Sequence, residues 1–160
     1  MIYPIIFFTF LLSFILFSIS KEDIKKMKLS ETKLRIFGLV GIFYLISLGF
    51  STKNINTINL ILNNFLSMLV IYILMYSISF IGSKFYKINS LGLGDVKLSS
   101  ISSIWLGLEY TFLSLCISFL LSAMYSIHGK ITKRFKTLHQ YPFAPFLSIG
   151  IICSWILDKI

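Results

Sequence analysis

Only six of the 160 residues carry a carboxylate: Glu22, Asp23, Glu31, Asp95, Glu109 and Asp158. Asp23 and Asp95 stand at the edges of long apolar runs. An aspartate at the centre of a membrane helix costs about 2.5 to 3.5 kcal/mol on insertion scales, so an acidic group near hydrocarbon is usually functional or paired. Two carboxylates held close together cannot both ionise easily and tend to share one proton. One can then act as base on a water molecule while the other, protonated, polarises a carbonyl. That is chemistry for hydrolysing a peptide bond, and it needs no metal, cysteine or serine.

Each aspartate also has a plainer reading. Asp23 lies among lysines, where a solvated counter-charge is the ordinary role. Asp95 follows Gly92-Leu93-Gly94, and two glycines beside a membrane-edge carboxylate permit an irregular backbone that could receive an extended strand. The same string is also compatible with a loop turn before a helix, with Asp95 as N-cap. Lys97, two residues on, could act on the Asp95 carboxylate or serve as a membrane-edge anchor; the anchor is the commoner use of such a lysine. His128 and His139 fall in or beside a basic loop, where solvation is the default. Cys116 and Cys153 sit far apart in apolar segments, form no metal or disulfide motif, and read as packing residues.

The elements that must position these groups are membrane helices. The composition is 56% hydrophobic and 13% charged, the mean hydropathy is +0.86, and runs of around 20 apolar residues recur along the chain. These features exclude an ordinary soluble domain and predict an all-α, polytopic membrane helical bundle. Hydropathy marks six spans, at residues 2–20, 34–50, 58–81, 98–108, 110–127 and 143–157. Gly107 and Glu109 mark a turn, so the fourth and fifth spans form a tight hairpin. Joining them would leave five spans. The first run lacks a basic lead-in and a small-residue cleavage site, and reads as a retained span.

The net charge of +9 does not imply nucleic acid, because the basic residues occupy short connections with no room for a recognition element. They follow the first span (Lys21, Lys25, Lys26, Lys28, Lys33, Arg35), the third (Lys84, Lys87, Lys97) and the fifth (Lys130, Lys133, Arg134, Lys136), leaving Lys53 and Lys159 on the other side. The positive-inside rule makes those three connections cytoplasmic and both termini external. Five spans would put the last basic loop outside. Asp23 and Asp95 therefore share the cytoplasmic face, and can meet if the first and fourth spans are neighbours. Glu109 and Asp158 fall on the outer face. No repeat or linker interrupts the pattern, so residues 1–160 read as a single membrane-embedded domain.

The string Gly92-Leu93-Gly94-Asp95-Val96-Lys97-Leu98 resembles the Gly-x-Gly-Asp motif, with its following Val-Lys-Leu, of the type IV prepilin peptidases and preflagellin peptidases. Ser20-Lys21-Glu22-Asp23-Ile24-Lys25 is similar to the first aspartate motif of that family. Tyr141-Pro142-Phe143-Ala144-Pro145-Phe146 resembles its Pro-Phe-Gly-Pro approach to the last helix. The resemblance implies Asp23 and Asp95 as the catalytic pair, with Gly92, Gly94, Lys97, Pro142 and Pro145 supporting the site or the substrate. Pro142 and Pro145 also fit the unremarked role of prolines at a helix start. Ser30 stands where the family usually has proline, and Ala144 replaces a common glycine; both changes are expected to lie outside the chemistry.

The resemblance implies an aspartic-type endopeptidase of the cytoplasmic membrane, without cofactor or metal, in the peptidase-only form that has no N-terminal methyltransferase segment. Its substrates would be prepilin-like or preflagellin-like proteins with a short basic leader and an apolar helix, cleaved at the cytoplasmic face as a step in pilus assembly or protein secretion. Membrane lipid is the other partner, and nucleic acid is not. Two other classes compete. An ion-coupled transporter subunit would relay protons through the aspartates, but expects mid-bilayer acids and inverted repeats. A catalytically silent assembly protein would keep the fold for docking.

Overall fold

The computed structural model describes residues 2–51, 57–86, 91–133 and 141–159. Lys53, Lys87, Arg134, Lys136 and His139 lie outside the described residues. Among the described residues five helices follow in order: α1 (Ile2–Lys26), α2 (Glu31–Ser51), α3 (Thr57–Tyr86), α4 (Leu93–Ile131) and α5 (Ala144–Lys159). Three of them contain stretches long and apolar enough to cross a bilayer, Glu31–Phe50, Ile58–Phe85 and Leu93–Ile131. The molecule is an all-α membrane bundle.

Two helices outrun their apolar segments toward the acidic groups. α1 continues past the expected end at residue 20 to Lys26, so Asp23 is on a helix and not in a loop. α4 begins at Leu93, earlier than expected, with Gly92 as its N-cap. The amides of Asp95 and Val96 both donate to the Gly92 carbonyl. Asp95 is therefore a first-turn residue, which corrects the reading that made it the cap.

α4 is broken at Gly107, whose φ of 70° and ψ of −175° are not helical. That backbone region is essentially reserved for glycine. The two arms fold back on each other, as their neighbours show. At one end Asp95 shares a cavity with Asp23, the Ala144 amide donates to Asp23, and the nearby Tyr141 hydroxyl donates to the Ser122 carbonyl. Asp95 and Ser122 are thus at the same end of the bundle, whereas a straight helix would hold them about 40 Å apart. The Asn64 side-chain amide donates to the Ile104 carbonyl at 3.1 Å, satisfying an acceptor next to the break.

At the opposite end the bundle is locked by aromatic rings. Trp105 stacks on Phe37 and Tyr44, at centroid distances of 5.5 and 5.6 Å, and meets the edge of Trp155 at 5.7 Å. Its indole N–H donates to the Phe37 carbonyl, and that of Trp155 donates to Thr9 Oγ1 at 2.8 Å. Lipid tails are as apolar as leucine, so close packing and hydrogen bonds must hold such helices together. Serines allow the close packing: Ser99, Ser100 and Ser102 on the first arm of α4, and Ser114 and Ser118 on the second, are buried. Each of these hydroxyls returns to a carbonyl three or four residues back in its own helix, whereas the buried hydroxyls of Ser103 and Ser154 have no hydrogen-bond partner among the described residues. Cys116, expected to be buried, is exposed on the apolar surface of α4, while Cys153 is partly buried.

Replacing Gly107 with alanine forces a Cβ into the strained region and should destabilise the bundle by about 1 to 3 kcal/mol. Thermal unfolding in detergent checks it, with a lowered midpoint expected.

Candidate active site

The cavity of about 690 Å³ at the acidic end is bounded by the end of α1, the turn into α2, the C-terminal part of α3 and the start of α4. Asp23 and Asp95 both line it, and each is at least nine-tenths buried. The charge on Asp23 acts directly on Asp95. The first span and the fourth, the first arm of α4, thus bring their aspartates to one cavity.

Each carboxylate is held by backbone N–H groups that a helix start leaves free. The first amides of a helix have no intrahelical partner. At α5 the Ala144 amide donates to Asp23 Oδ2 at 3.1 Å, and the Phe143 amide also bonds this carboxylate. Burial raises the cost of ionising Asp23, and these two donors offset part of it. At α4 the Asp95 side chain turns back to the Gly92 amide, the acidic half of a capping box. Its Oδ1 is buried with no hydrogen-bond partner among the described residues.

Gly92 and Gly94 line the cavity as well. A Cβ on Gly94 would lie 3.0 Å from the Leu29 Cβ, so glycine lets the turn after α1 close against the start of α4. The Lys97 ammonium spans the same two segments, meeting Glu31 Oε1 at 2.6 Å, and Arg35 reaches the other Glu31 oxygen at 3.3 Å. Lys97 is thus engaged with Glu31 and not with Asp95. A further link ties α1 to α2: Lys33 meets Glu22 at 3.0 Å and donates to the Ser18 carbonyl. The hydrogen bond from Lys33 holds the Glu22 carboxyl below its usual range.

Pro142 and Pro145 flank Phe143 and Ala144 at the head of α5, and neither lines the cavity. Proline at this position lacks an N–H, so the donors to Asp23 come from the two residues between them. The Ala144 position, expected to lie outside the chemistry, touches Asp23 through its backbone, which alanine and glycine share. Sequence reasoning missed these amides, although a Pro-x-x-Pro helix start signals free donors. It also missed Glu31 and the wall of α3 that carries Tyr76, Ser79 and Phe80, which no motif marks. His128 is exposed, Glu109 is exposed near the Gly107 break, and Asp158 pairs with Lys159; all are away from the cavity. Among the described residues no group of three His, Cys, Asp or Glu could hold a metal ion.

A helical membrane protein with two buried aspartates facing one cavity at the bundle end defines the class. Residues 10–127 match the type IV leader peptidase family, and the chain belongs to that family. The match includes both aspartates and stops before Phe143 and Ala144, whose amides meet Asp23. No match is found among curated proteins or among solved structures.

Gly94→Val should push Leu29 and the turn after α1 away from α4. Because a displacement of about 1 Å can cost on the order of 10²-fold in rate, peptidase activity should fall by about that factor while the membrane level of the protein is unchanged. Cleavage assays on membranes matched by immunoblot check this.

Proposed function

We propose that this chain is an aspartic-type endopeptidase that removes the short basic leader from prepilin-like or preflagellin-like proteins, with Asp23 and Asp95 as the catalytic pair. The observation that carries the reading is the shared cavity, in which one carboxylate is held by two backbone N–H groups and the other keeps a buried oxygen unpartnered. Donors to a carboxylate favour its charged form, so Asp23 is the base. Asp95 carries the shared proton. Asp23 takes a proton from a water molecule as that water attacks the scissile carbonyl carbon, while Asp95 donates a hydrogen bond to the carbonyl oxygen. Collapse of the tetrahedral intermediate breaks the C–N bond as Asp23 passes the proton it took from water to the leaving amine, which restores the starting pair.

The proposed topology has six crossings, with the arms of α4 counted separately and both termini outside. Every described basic residue except Lys159 lies toward the aspartate end, and basic residues favour the cytoplasmic side. The leader would then be cut at the cytoplasmic face of the cell membrane. Gly92, Gly94 and Lys97 shape the cavity wall, and Pro142 and Pro145 set the start of α5 so that its free amides face Asp23.

Asp23→Asn and Asp95→Asn should each reduce cleavage of a prepilin-like substrate by roughly 10² to 10⁴-fold, with normal insertion in the membrane. The shortened product is measured by mass spectrometry after incubation with purified protein in detergent. Undiminished cleavage in both variants would exclude the pair. A transporter subunit or a silent assembly protein yields no shortened product at all.

A further inference from the structure

The cavity has two unlike sides. The α1–α2 turn, the first residue of α2 and the start of α4 carry the charged groups Lys28, Glu31 and Lys97, whereas α3 contributes no charge, presenting Tyr76 and Phe80 with Ser79 and Ser83. Tyr72 continues the α3 side away from the cavity and stacks on Tyr76, with ring centroids 6.1 Å apart and an interplanar angle of 12°. Residues 72, 76 and 80 follow the i, i+4 spacing that puts side chains on one helix face. Their exposures are 40%, 47% and 60%, so the three rings form an open ladder. It runs from the middle of α3 to the cavity that holds both aspartates.

A face meant only for lipid would not be built this way. Tyrosine belongs at the membrane–water interface, where its hydroxyl is wet; Tyr72 is at the midpoint of the 30-residue α3. Elsewhere the exposed large apolar side chains described on α3 carry no hydroxyl: Leu66, Leu69, Val70, Ile73 and Ile81 are aliphatic, and Phe65 and Phe85 are phenyl rings. Hydroxyl-bearing rings at mid-span suit a protein neighbour, which can offer backbone or side-chain partners and rigid packing. The ladder is also continuous with the cavity, so a neighbour on it is led to the aspartates.

The geometry points to the Tyr72, Tyr76 and Phe80 face of α3 as the docking surface for the apolar helix of the polypeptide being cleaved. That assignment fixes the direction of the bound chain: its apolar side lies on α3, the scissile bond lies over Asp23 and Asp95, and the polar segment leaves past Lys28, Glu31 and Lys97. Tyr76 and Phe80 contact the residues just on the apolar side of the cut. The inference rests on the peptidase reading above and adds the place and direction of the substrate.

The test is site-specific photo-cross-linking with p-benzoylphenylalanine at positions 72, 76 and 80, and at 70 and 81 on the other exposed flank of α3. The full-length protein carries Asp95→Asn, is reconstituted in vesicles, and receives a prepilin-like polypeptide with a basic leader and an apolar helix of about 20 residues. Adducts to that helix at 72, 76 and 80, and only to lipid at 70 and 81, are expected. Adducts spread equally over both flanks, lipid adducts alone, or adducts to a second copy of the chain would overturn the inference. In parallel, the double substitution Tyr76→Ala and Phe80→Ala should raise KM about tenfold with little change in kcat, the mark of lost substrate binding. Ile81→Ala should change neither. The parent protein is assayed on the same polypeptide: cleavage without ladder adducts removes the docking inference alone, whereas no cleavage removes the peptidase reading with it.

Discussion

Burying two carboxylates on one cavity at the edge of an apolar bundle is costly, because low-dielectric surroundings penalise charge and each carboxylate penalises the other. Much of the acidic end can be understood as a response to that cost. Asp23 is met by amides from the start of α5, and Asp95 by the amide that caps α4. Backbone N–H groups at helix starts suit this task because they need an acceptor in any case and carry the positive end of the helix dipole. The family match ends at residue 127, so the donors to Asp23 come from the part of the chain beyond it. α5 is therefore part of the site and not only a final helix.

The need to bring those donors back explains the break in α4. An unbroken helix of this length would carry its far end out of the opposite side of a bilayer. Gly107 reverses the path, Asn64 takes up an adjacent carbonyl, and the second arm returns to the aspartate end in time for residues 141–144 to reach Asp23. The rings around Trp105 anchor the first arm just before the reversal. The geometry of the cavity thus depends on a glycine and an aromatic cluster at the other end of the bundle.

Much of this could be read from residue types alone. Apolar runs predicted the helices, Gly107 marked the turn, and the motifs around Asp23 and Asp95 pointed to residues that the structure puts in one cavity. What escaped were features with no side-chain signature. The Asp23 donors are backbone amides of Phe143 and Ala144. Gly94 was noted for its freedom of backbone, yet its main use is the absence of a Cβ against Leu29. Lys97 has the sequence position of an anchor or of a neighbour of Asp95, and its partner, Glu31, is 66 residues away in sequence. The helices extend beyond the expected spans because hydropathy marks the apolar segment, while the helical backbone runs on into the polar rim. The ring ladder on α3 was hidden among many aromatic residues because only the fold shows which of them lead to the cavity.

The central claim is that the two aspartates act as one unit holding one proton. The most direct measurement is the pH dependence of kcat/KM for purified protein cleaving a prepilin-like polypeptide. A shared proton predicts a bell-shaped profile, since the pair is inactive when both groups are protonated and when both are ionised. A profile governed by a single ionisation, or activity that appears only on adding a divalent metal, would contradict the account.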